Sequence, residues 1–336
     1  MIRIKCDGDA ERAHAQELIG KIEALRGRRL FCIYHDQIVG SEILDDLTVM
    51  AAREALEEVG QVEKLTVLID SPGGDPDATF RLIKTIRRFT TNLEVIVVNW
   101  AKSAATLFCL GADKILMSPD AELGPLDAQL RSPKDGRQFS ALNAFKSLEY
   151  LRQYGIEVLD IVSLLFKKRV GMDYIHAVEA ARPMVSDIVT SLYGQVSPAE
   201  LGESRRYLAV GEQYGKTIME RYSYCEFHPS KIEEIVRTLV WNYPSHGFVI
   251  DIEEAKRIGL KVEPLDSACT ALCEELLATV SGCIGMVSPE TKAVKPAEVS
   301  GDGDLALPSP TLEKEVKNEE EAAPITSNGN ATSRPK

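Results

Sequence analysis

A mostly parallel α/β sheet with additional helices is the fold class the sequence predicts, followed by a C-terminal tail that has no core. Three observations predict it. Two near-continuous apolar runs, 65–69 and 94–100, have the look of strands buried on both faces. Helical patterns follow them at crossover length, which implies right-handed strand–helix–strand units. After residue 287 the composition shifts to Pro, Glu, Lys, Ser, Asn and Gly, and no aromatic residue occurs beyond Phe248.

The elements follow in order. Residues 1–27 form an N-terminal helical segment, and 29–34 read as a short strand. Over 43–59 the spacing of Ile43, Leu47, Met50, Ala51 and Ala55 predicts a helix, with acidic residues in its first turn that suit the helix dipole. The strand 65–69 ends in the turn Asp70-Ser71-Pro72-Gly73-Gly74-Asp75, and a helix over 76–89 carries Phe80, Ile83 and Ile86 on one face. A strand over 94–100, an apolar helix over 103–111 and a short strand over 114–117 complete the pattern. Beyond Phe139 the chain turns helical, with helices expected over 141–153, 156–168, 172–192, 198–222 and 230–241. In the closing segment Asp251 and Glu254 have capping-box-like spacing, and Gly259 is a natural helix stop. The uncharged stretch 276–289 is too short for a membrane span and reads as the end of the last helix. The domain reading is therefore 1–27, then 28–287 with its helical portion at about 141–241, then a disordered tail over 288–336.

Composition narrows the function. The 336 residues hold 39 Lys+Arg against 51 Asp+Glu, a net charge of −12. The tail carries six basic and nine acidic residues, so the body itself is acidic. An acidic body argues against nucleic acid or an anionic membrane as the main partner, because counterion release needs a basic surface. Seven cysteines without a CxxC pair form neither a disulfide framework nor a zinc ribbon; Cys269 and Cys273 share a helix face as ordinary thiols. The start lacks the apolar run of a signal peptide, so a cytoplasmic protein without an integral membrane segment is expected, with no metal and no cofactor.

Two segments end buried strands, the place where open α/β sheets put their ligands. In Ser71-Pro72-Gly73-Gly74 paired glycines let the backbone approach a ligand and aim N–H groups at it; the same residues also make a plain strand-to-helix turn. In Asn99-Trp100-Ala101-Lys102-Ser103-Ala104-Ala105, Ser103 opens a helix of small residues. It suits an N-cap, the commoner use of serine there, and also a nucleophile over the carboxyl end of the sheet.

Taken in order, these two segments with Gly111-Ala112-Asp113-Lys114-Ile115-Leu116-Met117 and Leu123-Gly124-Pro125 resemble the serine-peptidase branch of the Clp/crotonase superfamily. Gly124-Pro125-Leu126-Asp127-Ala128-Gln129 and Tyr243-Pro244-Ser245-His246-Gly247-Phe248-Val249-Ile250-Asp251 resemble the serine dehydrogenase proteinase family, relatives of signal peptide peptidase A. The resemblance spans roughly residues 28–265. It implies a ββα-superhelix core and homo-oligomers. It also implies a nucleophile at Ser103 and oxyanion donors from the backbone of Gly74, beside Gly73, and of Ala104.

The departures concern the base. Asn99 stands where the Clp peptidase pattern has Gly, and no histidine lies between His35 and His176, so a Clp-type triad is not written here. The signal-peptide-peptidase branch uses a lysine some 40–50 residues after the serine, and Lys146 falls in that interval. Its neighbours Leu142, Phe145 and Leu148 suit the burial a lysine base needs; the same pattern also fits a surface lysine lying over apolar neighbours. Lys134 sits in a polar loop, and the Lys102 side chain should diverge from that of its neighbour. His246 lies in the family-like closing segment, and Asp127 suits either orienting a partner or capping a turn.

The reading is a serine peptidase acting on a peptide or protein through Ser103 and Lys146, with Gly74 and Ala104 as oxyanion donors. Its rivals are a scaffold of the same fold without a working base, a crotonase-like acyl-CoA enzyme, and a binding module acting through the acidic tail. Removing residues 288–336 should leave the fold and its oligomer intact, because no apolar period there can dock. Thermal melting checks this: the midpoint should move by no more than a few degrees.

Overall fold

Alternating side chains on three central strands decide how this chain layers. A computed structural model describes residues 3–5, 8–35, 43–131, 136 and 138–286; Lys134 and the expected tail lie outside them. The elements begin with β1 (Arg3–Lys5), α1 (Asp9–Arg26), β2 (Arg29–His35), α2 (Asp46–Val59), β3 (Lys64–Ser71), α3 (Pro76–Phe89) and β4 (Asn92–Ala101). Next come α4 (Ala104–Cys109), β5 (Lys114–Met117), β6 (Glu122–Leu123), β7 (Gln129–Arg131) and β8 (Gln138–Ser140). The helices α5 (Leu142–Val170), α6 (Tyr174–Tyr193), α7 (Pro198–Ile218) and α8 (Pro229–Arg237) follow. The chain closes with α9 (Ile252–Ile258), β9 (Val262–Pro264), α10 (Ser267–Thr279) and β10 (Gly282–Met286). Single turns of π-helix, Met219–Ser223 and Thr238–Asn242, extend α7 and α8.

The main sheet runs β1-β10-β2-β3-β4-β5-β9, with β6 beside β4. Its strands from β2 to β9 pair parallel, and β10 is antiparallel to both β1 and β2. With a period of two, Phe31, Ile33, Val67, Ile69, Val95 and Val97 join one core cluster with residues of α2, α3, α4 and α8. Leu30, Cys32, Leu68, Ile96 and Val98 join the other, under α1 and α10. Burial on both faces explains why these strands read as unbroken apolar runs.

Four expectations change. The segment 1–27, expected to be helical, opens with the strand β1 before α1. The helix expected over 43–59 begins at Asp46, where the Asp45 carboxylate accepts from Thr48 N at 3.0 Å. Its buried residues are Thr48, Val49, Ala51, Ala52, Ala55 and Leu56, so the expected Ala51 and Ala55 face inward, whereas Leu47 and Met50 are 65% and 52% exposed. The helix turns its small residues to the sheet, which lets it lie close. The two helices expected over 141–153 and 156–168 are the single α5. Gly155 does not break it, and a Cβ there would sit 3.1 Å from Val189 of α6, so the glycine admits close helix packing. The stretch 276–289, read as the end of the last helix, ends α10 only as far as Thr279; Gly282–Met286 instead form β10, inserted between β1 and β2.

The capping reading of the closing segment holds. Asp251 accepts from Glu254 N at 2.8 Å, and α9 stops at Gly259 with φ 98°. Cys269 and Cys273 lie on one buried face of α10.

Because β10 supplies the partner of both β1 and β2, cutting the chain after residue 281 should be far worse than cutting it after 287. The shorter form should melt ~10 °C or more below the longer one. Equal melting midpoints in calorimetry would show that β10 adds nothing to the sheet.

Candidate active site

Strand β4 ends at Ala101, and the chain turns sharply to enter α4. Lys102 N–H is held by Ser71 O at 3.1 Å, and Ala105 N–H closes onto Lys102 O at 2.8 Å. Between them Ser103 has φ 51° and ψ −118°, the dihedrals of the first central residue of a type II′ turn. Glycine is the residue that fits there. Among the described residues Ser103 is the one non-glycine with a positive φ. Such strain costs about 1–3 kcal/mol and persists only where the surroundings over-determine it. The hydroxyl does not cap α4, so the N-cap use open to this serine is not taken. The side chain is half-buried at the carboxyl end of the sheet.

Gly73 is what the turn leans on. A Cβ on Gly73 would lie 2.7 Å from Lys102 O, 2.9 Å from Ser103 Cβ and 3.0 Å from Ala104 N, and its φ is 111°. On the other edge Leu44 N–H donates to Gly73 O at 2.8 Å, and Asp75 N–H donates to Leu44 O at 2.8 Å. A Cβ on Gly74 would fall 2.2 Å from Leu44 O. A trans peptide opposes its carbonyl and its amide, so with Gly73 O turned to Leu44 the Gly74 N–H points away from Leu44. The Ala104 amide precedes the first helical bond, Leu107 N to Ser103 O.

Beneath the turn, Ser71 is buried and joins three parts. Its backbone carbonyl holds Lys102, and its hydroxyl oxygen accepts from Gly73 N at 3.2 Å and meets His35 Nδ1 at 2.9 Å. His35 is itself 1% exposed. Lys102 diverges from its neighbour as expected: its Nζ lies 2.5 Å from Glu122 and donates to Leu123 O at 3.2 Å.

Asp127 and His246 are 119 residues apart in sequence and adjacent in space. Asp127 is 1% exposed, and His246 Nδ1 donates to its Oδ1 at 2.9 Å. The Ser140 hydroxyl donates to Oδ2 of the same carboxylate. Register explains the meeting. Ala101 pairs with Leu123, and Leu123 exchanges backbone bonds with Ile250 in an antiparallel bridge. Running forward from Leu123 to Asp127, back from Ile250 to His246, and forward from Ala101 to Ser103, all three segments leave the same end of the sheet. The His246 loop is fastened by the stacked rings of Tyr243 and Phe248, 4.7 Å apart, and by the Tyr243 hydroxyl donating to Glu254 at 2.7 Å. An Nδ1–H held by a carboxylate leaves Nε2 as the basic nitrogen of a neutral imidazole.

Lys146 lines a cavity of about 270 Å³ together with Asp127 and His246. It is exposed, so the burial its apolar neighbours suggested is absent. Leu142 turns into the core and Phe145 packs edge-on against Trp241, leaving Lys146 on the open side of α5. Among the described residues no group of three or more His, Cys, Asp or Glu could hold a metal ion. Sequence reasoning missed Ser140, His35 and the supporting role of Ser71, which only the pairing of distant strand ends brings together.

The strain at Ser103 is measurable without any substrate. Ser103→Ala keeps the strained backbone and Ser103→Gly relieves it, so urea denaturation should find the glycine variant more stable than the alanine variant by about 1 kcal/mol. An alanine variant as stable as the glycine variant would mean the turn is unstrained.

Known proteins share part of this chain. Residues 9–149, a span that holds Gly74, Ser103 and Asp127, match the family model described as ClpP-like SDH-type serine proteinase. An uncharacterized protein of Methanocaldococcus jannaschii is 24% identical over 254 residues, covering 74% of this chain and 72% of its own length. Among solved structures, a mutant of a membrane-bound stomatin-specific protease is 18% identical, with a TM-score of 0.26. That match covers 40% of this chain and 63% of the other, so the chain spans less than two-thirds of that protease chain. A mutant of ClpP1 from Listeria monocytogenes is 16% identical, covering 47% of this chain and 82% of its own, with a TM-score of 0.25.

Proposed function

We propose that this chain, whose residues 9–149 match the ClpP-like SDH-type serine proteinase family, hydrolyses peptide bonds with Ser103, His246 and Asp127 as its catalytic set. The observation that carries the assignment is the buried Asp127 carboxylate held 2.9 Å from His246 Nδ1, at the sheet end where Ser103 is strained. It answers the missing base: the histidine comes from the closing segment, and the acid occupies the turn after Gly124-Pro125.

In this reading Ser103 Oγ attacks the scissile carbonyl as its proton passes to His246 Nε2. The carbonyl oxygen becomes an oxyanion facing the Gly74 and Ala104 amides, donors fixed before the reaction begins. The imidazolium returns the proton to the leaving amine as the C–N bond breaks, leaving an acyl group on Ser103. Water then attacks that ester with His246 again as base, releasing a carboxylate and restoring the serine. Asp127 holds the imidazole in its tautomer and stabilises its cationic form. Ser140 fills the second carboxylate oxygen, and Ser71 with His35 supports the oxyanion turn from below.

A second reading rests on one observation: Lys146 lines the same cavity, so a Ser103–Lys146 dyad is its natural competitor. Exposure counts against it, because a lysine base needs burial to favour its neutral form. The scaffold reading loses its main support once a His–Asp pair stands at the site. No helix among the described residues is long and apolar enough to cross a membrane. We read the protein as a cytosolic homo-oligomer in which the exposed Ile156, Ile161, Leu164 and Leu165 of α5 are covered by another subunit.

His246→Ala should cost about 10²–10⁴-fold in kcat and Asp127→Asn a comparable factor, both with the fold unchanged by circular dichroism. Lys146→Ala should keep the basal rate. A Lys146→Ala enzyme that is inactive while His246→Ala is active would assign the base to the lysine.

A further inference from the structure

We propose that the cavity beside His246 is a subsite for an acidic side chain of the substrate, with Lys146 as its specificity-determining residue; this rests on the peptidase reading above. The cavity measures about 270 Å³, room for a substrate side chain, and His246 and Asp127 of the proposed catalytic set line it. Its charges are uneven. The one carboxylate in its wall, Asp127, is buried, and both its oxygens are engaged, one by His246 and the other by Ser140. Lys146 is exposed, and among the described residues its ammonium has no ion-pair partner within 4.0 Å. Among the described residues the uncompensated charge facing the cavity is therefore positive.

The neighbouring donors fit the same ligand. Asn143 lies three residues before Lys146 on α5, so the two side chains share a helix face, and Ser245 contributes a hydroxyl from the His246 loop. A carboxylate is acceptor-only and takes several donors at once, which an ammonium, an amide and a hydroxyl supply. Phe139, Leu142 and Tyr243 give the cavity an apolar wall for the methylenes of the same side chain. Lys102, next to Ser103 in the chain, is already paired with Glu122 and does not compete.

The test uses matched peptides that differ only in Glu, Gln or Lys at one position, scanned across four positions, together with a small alkyl fluorophosphonate that lacks any peptide. Binding is measured by fluorescence anisotropy on Ser103→Ala protein, and labelling by the fluorophosphonate on protein with an intact serine. At one position Glu should bind about 3- to 5-fold more tightly than Gln, the scale of a partly exposed ion pair, and the preference should fall with added salt. Lys146→Ala should erase that preference and Lys146→Glu should reverse it toward Lys, while both label with fluorophosphonate at the parent rate. Equal binding of Glu and Gln peptides at every position, or a Glu preference that survives Lys146→Ala, would overturn the subsite. Loss of fluorophosphonate labelling in Lys146→Ala would overturn it too, by making the lysine the base. A Glu preference that depends on Lys146 in a protein that never labels would uphold the subsite and reject the hydrolase.

Discussion

The site depends on one close approach, between the backbone of Gly73 and the turn that carries Ser103. Room for a methyl group is missing at Gly73, where Lys102 O, Ser103 Cβ and Ala104 N all lie within 3.0 Å of the place a Cβ would take. Two strand ends are thereby pressed together, and each sets the conformation of the other. Ser103 takes up dihedrals that suit glycine because Ser71, Gly73 and the first turn of α4 leave it no alternative. The outcome is a hydroxyl that caps nothing in the helix it introduces. Backbone strain of this kind, of order 1–3 kcal/mol, survives in a marginally stable protein only when other packing offsets it. Here the buried sheet and the Leu44 clamp on Gly74 provide that packing.

The parallel sheet then determines which distant residues can act together. Strands that run the same way deliver their carboxyl ends to one edge, and the chain uses that edge three times. The first visit leaves Ser71, Gly73 and Gly74, the second Ser103, the third Asp127. The closing segment reaches the same place from the opposite direction, through the Leu123–Ile250 bridge, and adds His246. In the proposed catalytic set the order along the chain is therefore serine, aspartate, histidine, and the geometry of such roles is independent of that order.

Much of the sheet was legible because burial on both faces leaves a mark that single residues carry: 65–69 and 94–100 are apolar nearly throughout. The helix Pro76–Phe89 was legible for a related reason, since Asp75 and Pro76 announce its start and its apolar face repeats at helical spacing. Ser103 and Gly74 could be named from their segments, whereas the positive φ of Ser103 has no sequence signature apart from the family resemblance. β10 was not legible, because a five-residue apolar stretch after a helix reads equally as that helix's end. The pairing of Asp127 with His246 was hidden by the 119 residues between them. The exposure of Lys146 was not legible, because Leu142, Phe145 and Leu148 flank it in sequence, yet only Leu142 of the three is fully buried. Spacing on a helix gives a residue's face; what that face meets is a tertiary fact.

The central claim is that the strained serine is the nucleophile and that His246 activates it. Peptide mapping by tandem mass spectrometry of the fluorophosphonate-treated full-length protein tests it most directly. The account predicts one phosphonyl group per chain, on Ser103, in the native protein, and no adduct in the His246→Ala variant over the same interval. A group found on Ser71 or Ser140, or a Ser103 adduct that forms as fast without His246, would contradict it.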